Sequence, residues 1–267
     1  MASPTSLSIG TPNQLPLRPF GRIVQAPAGT RLTDIPVATL ARWTEESRVL
    51  VLRGFDLLAK ADFADYCRLW GDVLRWDAGE VIDLVVQENP RNYLFASGDV
   101  PFHWDGAFVE ANPRFFFFQC LDATPGAGGE TVFSDTTAAY RDAGPELWRL
   151  WDGISITYTT DKLAHYGGSV TENLVAQHPS TGVPVLRFAE PLDPAVYRNP
   201  VSATVHGIAA ADDFLSSMAE RLHRPEYCYA HAWAQGDILI ADNYALVHGR
   251  NAFTGPTSRH LQRVEVV

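Results

Sequence analysis

The stretch RFFFFQCLD, Arg114 to Asp122, decides the fold. Four consecutive phenylalanines, Phe115 to Phe118, in an apolar run between turn residues read as a strand. Successive side chains of a strand point to opposite faces, so this one carries phenylalanine on both. A strand that is apolar on both sides has to be covered on both sides. Core packing is the role expected of its four rings.

The segments around it follow the same pattern. NYLFASG (92–98), ETVFSD (130–135) and ISITYTT (154–160) are short apolar runs, and HPSTGVPVLRF (178–188) reads as a hairpin around Thr181–Gly182. Four more strands are expected from YCYAHAWA (227–234), DILIADN (237–243), ALVH (245–248) and RHLQRVEVV (259–267). Upstream, DIPVATLARWTEES (34–47) has helical spacing, with Asp34 as N-cap and Pro36 in the first turn. RVLVLRGF (48–55) reads as a buried strand. AKADFADYCRLWGDVL (59–74) reads as a second helix with Phe63, Cys67 and Trp70 on one stripe. TTAAYRDAGPELWRLWDG (136–153) is expected to be helical with a break at Gly144–Pro145, and DDFLSSMAERLH (212–223) to be a surface helix. Residues 1–30, rich in Pro, Gly, Ser and Thr, read as an irregular lead-in with one short strand at Arg22–Gln25. The fold class is mainly β with flanking helices, a sandwich or barrel in a single domain over 1–267.

A chain that is 46% apolar and 19% charged has the composition of a globular protein rather than a disordered one. Its formal net charge of −10 argues against binding nucleic acid or docking on an anionic membrane. The expected partner is a small molecule, whose own negative charge local arginines can meet. A homodimer is left open. Cys67, Cys120 and Cys228 are widely spaced and form no C-x-x-C pattern, which suits buried free thiols in a reducing, cytoplasmic setting. The N-terminus lacks a basic start followed by an apolar run, and no stretch approaches the ~20 apolar residues of a membrane span.

The chemistry centres on DVPFHWDGAFVE, Asp99 to Glu110. In a strand, His103 and Asp105 would share a face. A buried carboxylate and imidazole cost free energy unless paired; a metal ion is one partner, and a plain His–Asp contact is the alternative. His165, His178, His206, His223, His231 and His260 have no supporting motif and read as ordinary histidines. His248 differs, because it follows an apolar strand and a polar bend at the mouth of a sheet. Two imidazoles and a carboxylate make the facial triad of non-haem Fe(II) oxygenases. A zinc hydrolase could use the same three, with water at the fourth position. Arg250, Arg259 and Arg263 follow. Arg259 and Arg263 would share a strand face roughly 13 Å apart, and interior guanidinium groups need anions. A metal beside such an arginine suits a 2-oxo-dicarboxylate, chelated at one end and gripped at the other.

On these residues the chain resembles the taurine dioxygenase (TauD/TfdA) family of Fe(II)/2-oxoglutarate-dependent oxygenases. The resemblance runs from about Arg48 to the C-terminus. It rests on HWD (103–105), GGETVFSD (128–135), WAQGDILIADNYALVHGRNAF (233–253) and an arginine eleven residues past His248 (259 − 248 = 11). It implies a double-stranded β-helix, or jelly roll, in which His103, Asp105 and His248 bind Fe(II). Arg259 would hold the distal carboxylate of 2-oxoglutarate with Thr131 as hydrogen-bonding partner, and O2 would be the second co-substrate. Asp105 disfavours a halogenase. Tyr244 stands where many relatives carry an arginine, so a substrate contact borrowed for that loop does not carry over. Two subsets share further features. FHWDG, HPSTGVPVLRF and RHLQRVEVV resemble isonitrile-processing enzymes, which implies desaturation of a tyrosine- or phenylalanine-derived isonitrile to a vinyl isonitrile. The PFHxDG and GDxLIxDN patterns resemble carbapenem synthase-like enzymes, which implies oxidation or hydroxylation of another small acid. Arg263 would hold a substrate carboxylate or form a salt bridge with Glu265. Tyr93 and Trp104, with Phe95 and Phe102, would line an aromatic pocket, although core packing accounts equally for Phe95 and Phe102. A zinc hydrolase has no need of Arg259 and Thr131, and a non-catalytic jelly-roll binding module has no need of the three ligands.

Overall fold

In the computed structural model, residues 12–90, 92–109, 111–163 and 166–267 are described. His165 and the first eleven residues of the expected lead-in lie outside them. In chain order the strands are β1 (Asn13–Pro16), β2 (Arg22–Thr30), β3 (Val49–Phe55), β4 (Ile82–Val85), β5 (Val100–His103), β6 (Phe115–Asp122), β7 (Thr131–Asp135) and β8 (Ser155–Leu163). They continue with β9 (Tyr166–Asn173), β10 (Val175–Gln177), β11 (Pro184–Leu186), β12 (Ser202–His206), β13 (Cys228–His231), β14 (Ile238–Asp242), β15 (Leu246–Arg250) and β16 (His260–Val266). The helices are α1 (Val37–Ser47), α2 (Lys60–Cys67), α3 (Thr136–Arg141), α4 (Pro145–Trp151) and α5 (Ala211–Leu222).

The four phenylalanines of β6 show how the layers form. The larger sheet runs β1-β2-β3-β14-β6-β16-β4, which places β6 between two fully paired neighbours. Phe115 and Phe117 point to one face with Leu50, Leu52, Ile238, Ile240, Val264 and Val266, where α1 and α2 cover them through Leu40, Phe63 and Cys67. Phe116 and Phe118 point to the other with Val49, Val51, Leu239 and Ala241, against Phe133 and Leu246 of a second sheet, β13-β7-β15-β5. The period-two alternation thus fills both faces on three adjacent strands, and the two sheets facing one another make a jelly roll. Each fully buried ring contributes about 1.5–3 kcal/mol of transfer free energy. A third core, with Tyr158, Phe188, Phe214 and Met218, joins the sheet β12-β8-β9 to α3, α5 and the β10–β11 hairpin.

The structure departs from the sequence reading in several places. The lead-in carries β1 and a full-length β2, which pairs in parallel with β3. Asp34 does not cap α1. It ends a short turn, Leu32–Asp34, where its carboxylate accepts the Arg31 N–H at 2.9 Å, and α1 starts after Pro36. The second helix stops at Cys67 instead of running to 74. Gly71 approaches the C-terminus so closely that a Cβ there would lie 2.5 Å from the Val267 carbonyl oxygen. NYLFASG forms a short helical turn, Tyr93–Phe95, in place of a strand. The break at Gly144–Pro145 and the hairpin turn at Thr181–Gly182 are as read. Cys67 and Cys120 are buried free thiols, whereas Cys228 is half-buried.

One close approach fixes the neighbourhood of the site. Gly249, between His248 and Arg250, lies so near β5 that a Cβ would sit 2.3 Å from the Val100 carbonyl oxygen. That atom belongs to backbone and cannot swing aside. Gly249→Ala is expected to push β5 off β15 at a cost on the order of 1–3 kcal/mol, read as a lower midpoint in urea unfolding. An unchanged midpoint would show that the two strands are not in this contact.

Candidate active site

The two strands held together at Gly249 carry two of the three expected metal ligands. His103 ends β5 and is paired directly across from His248 on β15, with ring centroids 4.4 Å apart. Phe116 of the larger sheet backs the His248 ring at 4.6 Å. Asp105 arrives by a different route from the one read in the sequence. The strand stops at His103, so it is not alternation along a strand that brings the carboxylate round. The chain turns after Trp104 through Gly106, at φ 92°, where a Cβ would strike Pro113.

The three side chains converge. Asp105 Oδ1 lies 3.7 Å from His103 Nε2, and Oδ2 lies 3.7 Å from His248 Nε2. These separations are too long for hydrogen bonds. One donor atom from each residue falls within 4.8 Å of the others, and among the described residues no other His, Cys, Asp or Glu set does this. The His103 Nδ1–H donates to the Pro101 carbonyl at 2.9 Å. A carbonyl only accepts, so Nε2 keeps a bare lone pair aimed at Asp105. Burial pushes both imidazoles towards their neutral form, His248 to about 3. Burial would raise the Asp105 carboxyl; the charge of the Arg263 guanidinium outweighs it and holds it at about 2. Two neutral imidazoles and an ionised carboxylate with no ion-pair geometry between them fit a divalent metal such as Fe(II).

Beside this cluster is a narrow chamber of about 40 Å³, lined by His103, His248, Thr131, Arg250, Arg259 and Arg263 among others. Arg259 is buried, donates from Nη1 to the Gly129 carbonyl at 2.7 Å, and packs over Phe253. Its Nε has no partner, and among the described residues no carboxylate pairs with it. Burial, then the nearby Arg250, lowers its pKa to about 9. Thr131 Oγ1 accepts from Trp233 Nε1 at 3.0 Å, which leaves its own O–H free to donate. Arg250 is committed elsewhere: it donates to the carbonyls of Leu94, Ala96 and Gly98 at 2.6–2.7 Å and straps the turn at Tyr93–Phe95.

On the open side is a larger cavity of about 320 Å³. His103, Asp105 and Arg263 line it, and Trp76, Tyr93, Phe95, Trp104, Phe108 and Tyr166 form aromatic walls. Tyr166 meets Phe108 and Trp76 edge-on, with centroids 5.4 and 6.2 Å away. Phe102 is not part of the wall; it is a core residue stacked on His223. Arg263 is buried and reaches Asp105 Oδ2 at 3.3 Å and Glu265 Oε1 at 2.8 Å, so the salt bridge with Glu265 is present. Glu265 also accepts from Trp76 Nε1, and burial raises its pKa to about 8. Tyr244 does not reach the site from its loop. Arg187 lies over its ring at 4.5 Å, and its hydroxyl donates to the Asn112 carbonyl at 3.4 Å. His178, His206, His223, His231 and His260 make contacts outside the cluster, as their lack of a motif suggested. The sequence reading missed Trp76, Phe108 and Tyr166, which come from separate segments with no shared spacing.

The strap made by Arg250 is testable by itself. Arg250→Met is expected to leave three carbonyls without a donor, lower stability on the order of 1–3 kcal/mol, and speed hydrogen exchange across residues 93–98. Unaltered exchange in that turn would mean that Arg250 does not hold it.

Residues 13–264 match the family model "Taurine catabolism dioxygenase TauD, TfdA family". The chain is 47% identical over 256 residues to 3-((Z)-2-isocyanoethenyl)-1H-indole synthase of Fischerella ambigua, covering 94% of each chain. It is 38% identical to the tyrosine isonitrile desaturase of Pseudomonas aeruginosa, over 89% of this chain and 84% of that one. Its fold superposes on the solved structure of PvcB, an Fe, alpha-ketoglutarate dependent oxygenase from an isonitrile synthetic pathway. The TM-score is 0.80 at 34% identity, covering 97% of this chain and 93% of PvcB. The chain belongs to the TauD/TfdA family and is an Fe(II)/2-oxoglutarate-dependent oxygenase, with O2 as co-substrate.

Proposed function

We propose that this oxygenase desaturates an aryl isonitrile derived from an aromatic amino acid, giving a vinyl isonitrile. The observation that carries the reading is that His103 and Asp105 line an aromatic-walled cavity together with Arg263, a buried arginine paired with Asp105 and Glu265. The names of the indole-forming and tyrosine-specific relatives support an indole or phenol as the aryl group.

His103, Asp105 and His248 are the proposed Fe(II) ligands, and Arg259 with Thr131 the proposed grip on the distal carboxylate of 2-oxoglutarate. The orphaned Nε of Arg259 and the free O–H of Thr131 supply donors for it. Bound iron supplies the oxidising chemistry that couples decarboxylation of 2-oxoglutarate to removal of substrate hydrogen. The balance is one substrate, one 2-oxoglutarate and one O2 giving the alkene, succinate, CO2 and water, with a second CO2 where the substrate carboxylate is also lost. The residues contribute position. Arg263, already paired with Asp105 and Glu265, offers its positive charge to the substrate carboxylate, while Tyr93 and Trp104 confine the ring, so the benzylic hydrogens face the metal cluster. Trp76, Phe95, Phe108 and Tyr166 exclude water from the remainder.

Three results follow. His103→Ala, Asp105→Ala and His248→Ala should each lose Fe(II) binding and turnover with the fold intact; full iron affinity in Asp105→Ala sinks the triad. Arg259→Ala should raise the Michaelis constant for 2-oxoglutarate by the equivalent of about 2–5 kcal/mol, and Thr131→Val by about 1 kcal/mol. An unchanged 2-oxoglutarate dependence removes Arg259 from this role. With Fe(II), 2-oxoglutarate and O2, isonitriles made from tryptophan and tyrosine should give products lighter by two hydrogen atoms, with or without loss of CO2, by mass spectrometry. A product heavier by one oxygen atom means hydroxylation. No substrate-stimulated succinate from either removes the isonitrile assignment.

A further inference from the structure

The geometry points to Asn243 as a positioning residue for the carboxylate of the metal cluster, acting in a clamp with Arg187. Asn243 sits in the turn between β14 and β15 and is completely buried. Its Oδ1 accepts the Asp105 backbone N–H at 2.9 Å, and its Nδ2 donates to the Asp105 carbonyl at 2.9 Å and the Pro113 carbonyl at 2.8 Å. Both amide donors and one acceptor position are therefore spent on the chain that carries Asp105 and the chain that returns from it. The Asp105 turn has no strand partner at this point, because β5 has ended at His103. The side chain of Asn243 replaces the missing ladder.

The clamp has a second jaw. The Arg187 guanidinium donates to the Asn243 carbonyl at 3.2 Å and lies over the Tyr244 ring at 4.5 Å and the Trp104 ring at 5.7 Å. It bridges the turn after β14 to the residue between His103 and Asp105. Arg187 is buried. The turn itself is fixed from behind, since Asp242 accepts from buried His178 and from the N–H groups of Tyr244 and Ala245. His248 follows on β15, so the same rigid turn sets the spacing between two of the three proposed ligands.

This inference rests on the assignment of Asp105 as a metal ligand, and the experiment separates the two. Anaerobic Fe(II) or Co(II) is titrated calorimetrically into the full-length wild type, Asn243→Ala, Asn243→Asp, Arg187→Met and Asp105→Ala, with Tm measured without metal. Partners that orient a metal ligand typically carry a 10- to 100-fold effect on affinity. Asn243→Ala is expected to raise the metal Kd by about that factor, and Arg187→Met to raise it less. Asn243→Asp keeps the shape and the acceptor for the Asp105 N–H but loses both donors. Its buried carboxyl would face the two carbonyls that the amide served, so metal binding should weaken at least as far as in Asn243→Ala. If the Asn243 variants do not fold, Arg187→Met carries the test. Lower Tm values with wild-type metal affinity in the folded variants would make Asn243 merely structural and overturn the clamp. Wild-type affinity in Asp105→Ala would instead overturn the ligand assignment from which the clamp takes its meaning.

Discussion

An ionised carboxylate in the interior is expensive, and the surroundings of Asp105 are organised by the need to keep one there. Desolvation works against its charge, and the Arg263 guanidinium works for it. A lone buried pair of this kind often gives no net stability, because taking both charges out of water offsets their attraction. The arrangement makes sense as a site held ready for a cation. Arg263 also needs Glu265, Glu265 takes a hydrogen bond from Trp76, and Trp76 forms part of the cavity wall. The electrostatics of the cluster and the shape of the cavity are thus joined through three side chains.

The jelly roll supplies the stiffness that such a site requires. His248 lies on a strand paired on both edges, with β5 on one side and β7 on the other, and its ring is backed by Phe116 from the opposite sheet. Shifting it would require moving hydrogen-bonded neighbours and a packed core together. Arg259 is held less by pairing than by packing, between Phe253 and the Gly129 carbonyl. Its unpaired Nε is a buried donor of the sort normally satisfied in a finished structure, which agrees with an anionic co-substrate.

Much of this was legible in the chain because it is local or periodic. Phe115 to Phe118 announced a strand covered on both faces, and the rings divide between two cores as that pattern requires. The His–x–Asp triplet and His248 were recognisable by residue type, and the structure brings them together. What the sequence hid depends on contacts between distant segments. Asp105 comes round a turn forced by Gly106 and Pro113, a close approach that no period encodes. NYLFASG looked like a strand, but the carbonyls of its turn are taken by Arg250, which lies more than 150 residues away in the chain. Asp34 resembled a helix cap because the residue type is right, yet its carboxylate is taken by Arg31 one turn too early. Trp76, Phe108 and Tyr166 meet only in three dimensions.

The aromatic wall is made of parts that the sheets do not own. Trp76 precedes β4, Tyr93 lies in a short turn, Phe108 follows the Asp105 turn, and Tyr166 begins β9 in a separate sheet. Tyr93 and Phe108 can change size without disturbing the paired strands that carry His103 and His248, whereas Trp76 is tied to the metal cluster through Glu265 and Arg263. Such a division gives natural selection one part of the wall to vary with the molecule offered and one part bound to the oxidising centre. A lineage built on this plan can diversify its chemistry of recognition by point changes in connecting segments while the reactive core is inherited intact.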